Sequence, residues 1–275
     1  MKVVFCIDDN PRYLALLKVA VRSLRALHGT DVPCLCVYAG TRLEVLETVQ
    51  AEGIPLAHYS PRLQHTMLPP AAQGCRGCFL KLELALLPEL ARDEYVLYCD
   101  VDVLFYRPLH GLFDAPSPSY MGMAREYTAP FWHEHEKLFY EWRGNRHTVP
   151  MPFPIWTFSS GVVFFNLARL RQRGLIEHFL AFAAQNVDKI GNWDQSLLNY
   201  FFGRRIQRLD DCWNCPPYLC SCLDTAHIVH FHGPKPWDNK SEWSRDLRIN
   251  HFEYMRHAWL DYLDAHERAE AECWG

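Results

Sequence analysis

Short apolar runs that alternate with amphipathic helices constrain this chain most. Apolar runs at 3–7 and 34–39 are each followed by a helical pattern, at 14–27 and 43–51, and a third short strand is predicted at 54–58. Strands that are apolar throughout, rather than at alternate positions, are buried on both faces, as in parallel sheets covered by helices. The sequence therefore predicts an α/β fold with a mostly parallel sheet.

Further strands and helices extend this pattern along the chain. The sequence predicts a helix at 79–90, strands at 95–99, 120–124, 161–165 and 228–231, helices at 175–186 and 194–202, and an acidic C-terminal helix at about 249–272. No internal repeat and no low-complexity linker interrupts the series. We therefore expect a single domain over 1–275.

The charge of the chain is nearly balanced, which bears on its partners. Among 275 residues, 28 Lys and Arg stand against 32 Asp and Glu, a net charge of -4. Such a chain has no general attraction for nucleic acid, and no partner of that kind is expected. The first residues resemble a strand rather than an export signal, and no apolar run reaches the length of about 18 residues that a membrane span needs. We expect a cytoplasmic protein without a transmembrane segment.

The cysteines allow two interpretations. There are 11 of them, an odd number, and several lie in predicted buried strands, where a thiol packs as a small apolar group. Reduced thiols are therefore expected. The alternative is zinc, because Cys75 and Cys78 have the spacing of a metal knuckle, as do Cys212 and Cys215, and two such pairs can form a four-thiolate site.

Two aspartates directly follow the most strand-like run. Asp100 and Asp102 come after Tyr-Val-Leu-Tyr-Cys at 95–99, at an edge of an α/β sheet where ligands usually bind. Alternate residues on extended backbone point the same way, and two close carboxylates repel each other unless a cation lies between them. Oxygen ligands favour Mg²⁺ or Mn²⁺, and an added imidazole favours Mn²⁺. The pair predicts a divalent metal site. The alternative is that the two carboxylates only cap the strand and face water, because the sequence pattern is the same in both cases.

Five segments, in order along the chain, carry a resemblance to a known family. They are Phe-Cys-Ile-Asp-Asp-Asn at 5–10, the strand with Asp-Val-Asp at 95–102, Phe-Ser-Ser-Gly-Val at 158–162, Trp-Asp-Gln at 193–195 and His-Phe-His-Gly-Pro-Lys-Pro-Trp at 230–237. Together they resemble the motifs of glycosyltransferase family 8, the family of glycogenin and bacterial lipopolysaccharide galactosyl- and glucosyltransferases. The resemblance implies a GT-A fold, a Rossmann-like domain whose mostly parallel, mixed sheet is covered by helices on both faces.

The resemblance also implies an activity. We expect a retaining glycosyltransferase that moves a hexose from a UDP-sugar, UDP-glucose or UDP-galactose, to a hydroxyl of a carbohydrate, lipid-linked glycan or protein acceptor. Mn²⁺ is the expected cofactor, with Mg²⁺ as an alternative, and attack from the face of the departing phosphate is the expected mechanism. The nucleotide-binding part would span about 1–105, and the sugar and acceptor part about 106–240.

The resemblance assigns nucleotide contacts to particular residues. It implies that Asp8 binds the uracil edge and Asn10 the ribose, with Asp9 and Val101 as further nucleotide contacts. Gly233 would let the backbone approach the diphosphate. Two lysines complete this set: Lys235 would donate to the diphosphate, and Lys81 would contact a phosphate or the sugar.

The resemblance likewise assigns the metal ligands and the catalytic residues. Asp100 and Asp102 would hold the ion with His230, for which His232 is a less well placed alternative. Asp194 and Gln195 would lie beside the sugar as the catalytic residues.

Two positions depart from the family pattern. Ser159 stands where the family usually has Asn, and Glu126 is displaced from the position of a family Asp. Elsewhere, Trp237 is the best candidate for an aromatic contact to the acceptor.

Two other functions stay open from the residues. One is a non-catalytic UDP-sugar binding protein, and the other is a phosphohydrolase of the haloacid dehalogenase type, in which Asp100 would be the nucleophile.

Overall fold

A seven-stranded mixed sheet lies at the centre of the computed structural model. The structure describes residues 1–63, 76–114, 118–127, 139–142, 145–148, 156–187, 193–218, 224–238 and 249–274. With strands numbered in chain order, the sheet runs β10 (Ile206–Arg208), β6 (Met121–Arg125), β9 (Phe158–Asn166), β4 (Tyr95–Cys99), β1 (Lys2–Ile7), β2 (Cys34–Tyr38), β3 (Leu56–His58). Only β9 is antiparallel to its neighbours within this sheet. The prediction of a mostly parallel sheet is confirmed.

Two small strand pairs lie outside the central sheet. β5 (Val103–Phe105) pairs antiparallel with β11 (Ile228–His230), and β7 (Phe139–Trp142) pairs antiparallel with β8 (Asn145–Thr148). The α-helices of the described ranges are α1 (Pro11–His28), α2 (Leu43–Ala51), α3 (Gly77–Leu80), α4 (His110–Phe113), α5 (Leu167–Gln172), α6 (Leu175–Asn186), α7 (Trp193–Phe202), α8 (Ile249–Leu260) and α9 (Ala265–Glu272). None of these helices is long and apolar enough to cross a membrane.

The sequence of α1 explains where this helix begins and ends. The Asn10 side chain accepts a hydrogen bond from the backbone N–H of Arg12, and Pro11 occupies the first turn, where a missing N–H costs nothing. Gly29 ends the helix at φ 57°, a left-handed conformation that a residue without Cβ adopts freely. One face of α1, with Leu17 and Leu24, is buried.

The core has two layers because successive side chains of a strand point to opposite faces of the sheet. Val3, Phe5 and Ile7 of β1 pack in a cluster with side chains of α1, α2 and α8, whereas Val4 and Cys6 pack in a second cluster on the other face. Helices therefore cover both faces, as the sequence predicts.

Two helix predictions are wrong in detail. The predicted helix at 79–90 is α3 followed by 3-10 turns at Lys81–Leu86 and Pro88–Leu90. Pro88 has no backbone N–H to donate and biases Leu87 to an extended conformation, at φ -70° and ψ 127°, so a continuous helix is impossible.

The predicted C-terminal helix is divided into α8 and α9. Asp264 begins α9 with a capping box: its carboxylate accepts from the N–H of Glu267 at 2.8 Å, and the Glu267 carboxylate accepts from the N–H of Asp264 at 3.1 Å. Glu267 also binds Lys18 at 2.7 Å and Arg22 at 2.6 Å, so these ion pairs hold α9 against α1.

Candidate active site

The pairing of β5 with β11 brings a histidine to the two aspartates. Asp102 lies just before β5, and Val103 of β5 is paired with His230, the last residue of β11. The N–H of Phe231 donates to the carbonyl of Asp102 at 2.9 Å, which fixes the two segments side by side. Two parts of the sequence that lie about 130 residues apart thus meet at the carboxyl end of β4.

Asp100, Asp102 and His230 form a group that can hold a metal ion. One ligand atom of each lies within 4.8 Å of the others. His230 Nε2 is 3.2 Å from Asp102 Oδ1 and 3.9 Å from Asp100 Oδ2. The other ring nitrogen, Nδ1, is 2.8 Å from Oδ1 of Asn214, an acceptor, so Nδ1 carries the proton and the lone pair of Nε2 faces the carboxylates. Two carboxylates and an imidazole suit a divalent ion such as Mn²⁺. The structure brings the predicted ligands together, and the ion itself remains a prediction.

The two aspartates differ in their electrostatic surroundings. Burial raises the pKa of Asp100, against the effect of the nearby Lys81 ammonium. Burial acts in the same direction on Asp102, but the Lys235 ammonium outweighs it and holds the pKa of Asp102 well below its usual range. Lys235 Nζ donates to Asp102 Oδ2 at 2.5 Å. A cation therefore already lies against this carboxylate in the structure.

Lys81 joins the metal-binding group to the predicted catalytic residues. Its Nζ donates to Asp100 Oδ1 and to the carbonyl of Ser160, each at 3.0 Å, and lies 2.9 Å from Asp194 Oδ2. The side chain is 1% exposed. Burial lowers the pKa of Lys81, but the carboxylates of Asp100 and Asp194 outweigh it and keep the pKa above its usual value. Lys81 is thus a buried cation between two carboxylates, and its predicted contact with substrate remains a prediction.

Asp194 and Gln195 occupy the first turn of α7. The Ser160 hydroxyl donates to Asp194 Oδ2 at 2.7 Å, and the Ser160 N–H donates to Gln195 Oε1 at 3.1 Å. Trp193, at the start of the helix, has φ 44°, a left-handed conformation that is rare for a bulky residue and is often found at functional sites. Ser160 of β9 therefore holds both predicted catalytic side chains.

Glu126 belongs to this region, although its sequence position gave only a displaced match to the family pattern. Its Oε2 accepts from Gln195 Nε2 at 3.0 Å, and its side chain is 2% exposed. The signal that could have identified it is an acidic residue directly after β6. Because β6 and β4 are both antiparallel to β9, the carboxyl end of β6 lies at the same edge of the sheet as the site.

The residues predicted to contact the uracil and the ribose lie in the loop after β1, where their side chains accept hydrogen bonds from backbone N–H groups. Asp8 is buried and accepts from the N–H groups of Asn10 at 3.0 Å and Gly77 at 2.9 Å. The Asp9 carboxylate accepts from the Tyr38 hydroxyl and from the N–H groups that follow β2. Burial tends to raise the pKa of Asp9, but these hydrogen bonds lower it below its usual value. These residues shape the loop, and their nucleotide contacts remain predictions.

The segment 230–237 contributes differently along its length. Gly233 has φ 91°, which favours glycine at this turn. His232 is not part of the metal-binding group: its Nε2 lies 4.0 Å from Glu126, and burial lowers its pKa to about 4, so the ring is neutral at pH 7. Trp237 is 4% exposed and packs against Trp259 and Trp274 with ring centroids 6.2 and 5.1 Å away. The predicted contact of Trp237 with the acceptor is therefore wrong, because its ring is part of the core.

A cavity of about 250 Å³ lies between these segments. Its walls come from the end of β4, the middle of β9, the start of α7 and the 230–235 segment, and they include Val101, Asp194, Gln195 and Lys235. Residues 8–10 lie nearby at the carboxyl end of β1 but do not line the cavity in the described ranges. A ligand in this cavity would touch the metal-binding group and the predicted catalytic pair together.

The cysteines depart from expectation at one position. Cys215 is disulfide-bonded, so the prediction that all thiols are reduced is wrong there, and its sulfur is not a thiolate that could bind zinc. Cys78 and Cys212 are thiols that form no disulfide, and Cys75 lies outside the described residues. Among the described residues, the group of Asp100, Asp102 and His230 is the one that can hold a metal.

Comparison with protein families identifies the family to which this chain belongs. A model of glycosyl transferase family 8 matches residues 76–241, more than half of the chain, including the paired aspartates, the start of α7 and the segment 230–237. The chain belongs to glycosyl transferase family 8. This membership confirms the resemblance and excludes the phosphohydrolase alternative. Among curated proteins, no significant match is found.

Solved structures show the fold of this family 8 member. The galactosyltransferase LgtC, in complex with donor and acceptor sugar analogs, is 21% identical over 96% of this chain and 100% of its own, with a TM-score of 0.71. Apo GlyE from Streptococcus pneumoniae TIGR4 is 17% identical over 98% of this chain and 62% of its own, with a TM-score of 0.63. Mouse xyloside xylosyltransferase 1 is 19% identical over 83% of this chain and 96% of its own, with a TM-score of 0.55. The predicted GT-A fold is thereby confirmed.

Proposed function

We propose that this family 8 glycosyltransferase moves a hexose from a UDP-sugar to a hydroxyl acceptor with retention of the anomeric configuration. The observation that carries the proposal is one cavity whose lining includes both the metal-binding group, Asp100, Asp102 and His230, and the pair Asp194 and Gln195. A glycosyl diphosphate needs positive charge at its leaving group and polar groups at its sugar, and this cavity offers both. UDP-glucose and UDP-galactose are the donors we expect, and the acceptor is a carbohydrate, a lipid-linked glycan or a protein.

The donor set of the cavity fits a divalent ion. Asp100, Asp102 and His230 would hold Mn²⁺, with Mg²⁺ as the alternative, because two close carboxylates repel each other and Asn214 directs the imidazole lone pair toward them. When bound, the ion supplies positive charge that stabilises the diphosphate leaving group. Lys235, which binds Asp102 in this structure, would then donate to the diphosphate, with Gly233 giving its backbone access.

The hydrogen bonds of Asp194 and Gln195 favour attack from the face of the departing phosphate. In that reaction the bond between the anomeric carbon and the phosphate oxygen breaks, the acceptor oxygen bonds to the same carbon, and the acceptor proton passes to the departing phosphate. A double displacement needs a free carboxylate as nucleophile. One Asp194 oxygen is held by both Lys81 and Ser160, and an amide such as Gln195 is a poor nucleophile. Both residues would instead orient the sugar and stabilise the positive charge that develops on it.

The remaining assignments follow the same proposal. Asp8, Asp9 and Asn10 would contact the uridine, and Val101, a wall of the cavity, would contact the nucleotide. Lys81 would act by holding Asp100 and Asp194. We also propose that 1–275 forms a single domain and works in the cytoplasm.

Calorimetry and turnover test the proposal together. UDP should bind tightly with Mn²⁺ and weakly with a chelator, because Asp100 and Asp102 repel the diphosphate until a cation neutralises them. Asp102→Asn keeps the shape of the side chain but removes its charge, and transfer from UDP-glucose or UDP-galactose should be lost. Asp31→Asn, at an exposed position, is the matched control. An Asp102→Asn variant that kept more than about a tenth of the activity, a barrier change under ~1.4 kcal/mol, would show that the site is assigned wrongly.

One alternative stays in the test. A non-catalytic UDP-sugar binding protein would show Mn²⁺-dependent UDP binding but neither transfer nor hydrolysis of any UDP-sugar. The absence of a family Asn at Ser159 is the observation that favours it. The configuration of the product gives a further check, because an inverted product would contradict the proposed retention.

A further inference from the structure

Both ends of the Gln195 amide are bound by protein groups. The Ser160 N–H donates to Oε1 at 3.1 Å, and Nε2 donates to Glu126 Oε2 at 3.0 Å. A backbone N–H can only donate and an ionised carboxylate can only accept, so the two partners allow one orientation of the amide. Reversing the amide would place its NH₂ group against the Ser160 N–H and its oxygen against the carboxylate.

The carboxylate that accepts from Gln195 is itself held firmly. Glu126 Oε1 accepts from the N–H of Tyr127 at 2.9 Å, and the Glu126 N–H donates to the carbonyl of Thr157 at 2.7 Å. The side chain is 2% exposed and does not line the cavity among the described residues. Glu126 can therefore affect a ligand in the cavity by holding Gln195, which does line it.

We propose that Glu126 is a positioning residue, which fixes the orientation of the Gln195 amide toward the donor sugar. The proposal rests on the proposed transferase function for its catalytic consequence, while the fixed orientation is a property of the protein alone. Small errors in the placement of a group beside the reacting carbon cost large factors in rate, so a freely rotating Gln195 would lower kcat more than it weakens binding.

A matched pair of variants at Glu126 separates the effect of its hydrogen-bond acceptor from the effects of its volume and its charge. Glu126→Gln and Glu126→Met have nearly the same length and are both neutral, and both remove the second oxygen, which accepts from the Tyr127 N–H. Only Gln keeps an oxygen that can accept from Gln195. Glu126→Met should lower kcat roughly 10- to 100-fold, with the KM for the UDP-sugar and the Mn²⁺-dependent affinity for UDP changed less than about threefold. Glu126→Gln should restore most of the kcat. Equal losses in both variants would overturn the proposal, because then charge or packing rather than the hydrogen bond would matter.

A double-mutant cycle tests whether the effect passes through Gln195. In a Gln195→Ala background, Glu126→Met should have little further effect on kcat, since the amide that it positions is gone. A full additional loss would show that Glu126 acts on the substrate or on the fold directly.

A spectroscopic readout keeps the proposal testable if no UDP-sugar is turned over. The side-chain amide of Gln195, assigned by the signal that Gln195→Ala removes, should show slow hydrogen exchange in the wild type. That protection should persist in Glu126→Gln and disappear in Glu126→Met. An inactive wild type with this pattern contradicts the proposed function but supports the positioning, and protection that survives in Glu126→Met contradicts the positioning.

Discussion

Gly161 lies so close to the His230 ring that any side chain on it would occupy the space of the imidazole. A Cβ built on Gly161 would lie 2.0 Å from His230 Cε1 and 2.5 Å from Nδ1. The ring is buried and its Nδ1 is held by Asn214, so it has little room to move. The glycine of the Phe-Ser-Ser-Gly-Val segment thus creates the space in which the predicted metal ligand is held.

Gly161→Ala should therefore weaken the metal site. The added methyl group displaces the imidazole from the carboxylates, and we expect the Mn²⁺-dependent affinity for UDP to fall roughly 10- to 100-fold. Calorimetric titration with UDP and Mn²⁺ measures it. Gly111→Ala is the control, because a Cβ there would meet Trp213 at an ordinary 3.7 Å. Unchanged affinity in Gly161→Ala would mean that His230 does not bind the ion from this position.

Asn214 should strengthen Mn²⁺ binding, because its side-chain oxygen keeps the proton of the His230 ring on Nδ1. Asn214→Ala removes the acceptor for Nδ1–H and should lower the Mn²⁺ affinity of the UDP-bound protein roughly 10- to 100-fold. Asn214→Asp keeps an acceptor at the same position and should bind Mn²⁺ about as well as the wild type. Free Mn²⁺, followed by electron paramagnetic resonance during titration, gives both affinities. If the Ala and Asp variants bound equally, the hydrogen bond would have no part in the site.

Lys81→Met should destabilise the fold more than an ordinary surface change does. The variant removes the cation shared by the partly exposed Asp100 and the buried Asp194, and leaving the Asp194 carboxylate buried without its cation costs about 3–5 kcal/mol of unfolding free energy. Urea unfolding measures the loss. Mn²⁺ with UDP should offset part of it, because the ion would neutralise Asp100. The double variant Lys81→Met with Asp194→Asn should be more stable than Lys81→Met alone, and a double variant that is less stable would contradict the pairing.

Glu267→Gln should loosen α9 in a pH-dependent way. Burial tends to raise the pKa of Glu267, but Arg22 and Lys18 outweigh it and lower the pKa from 4.5 to about 2. A lowered pKa means that the ionised carboxylate stabilises the fold above pH 4.5 and that this contribution is lost as the pH falls toward 2.

The variant should consequently be less stable than the wild type by about 1–3 kcal/mol at pH 7, with a gap that closes between pH 4.5 and 2. Thermal unfolding across this range measures it. Glu270→Gln, at an exposed position of the same helix, is the control. A gap that stayed constant with pH would mean that the ion pairs of Glu267 do not contribute.

The sequence by itself determined the layers of the fold and the chemistry of one sheet edge. Runs such as Val3 to Ile7 bury both faces of a strand, and a three- and four-residue apolar period makes α1 one-sided; both are local properties. The order of the family motifs also pointed to Asp100, Asp102 and His230, because each motif is a short string of residues that can be recognised without knowing what it contacts.

Tertiary structure alone decided how those residues are supported. Asn214 faces His230, Gly161 makes room for it, Lys81 binds two carboxylates and Glu126 binds Gln195, and each of these contacts joins residues that are distant in the sequence. The burial of Trp237 against Trp259 and Trp274 is also a tertiary contact, because the sequence of a loop does not show whether distant residues will cover its aromatic ring. Local periodicity determines which face of a strand or helix is apolar. A contact between two elements depends instead on the order of the strands in the sheet and on how the other elements pack against it. Here that arrangement brings β9, β11 and α7 around the end of β4.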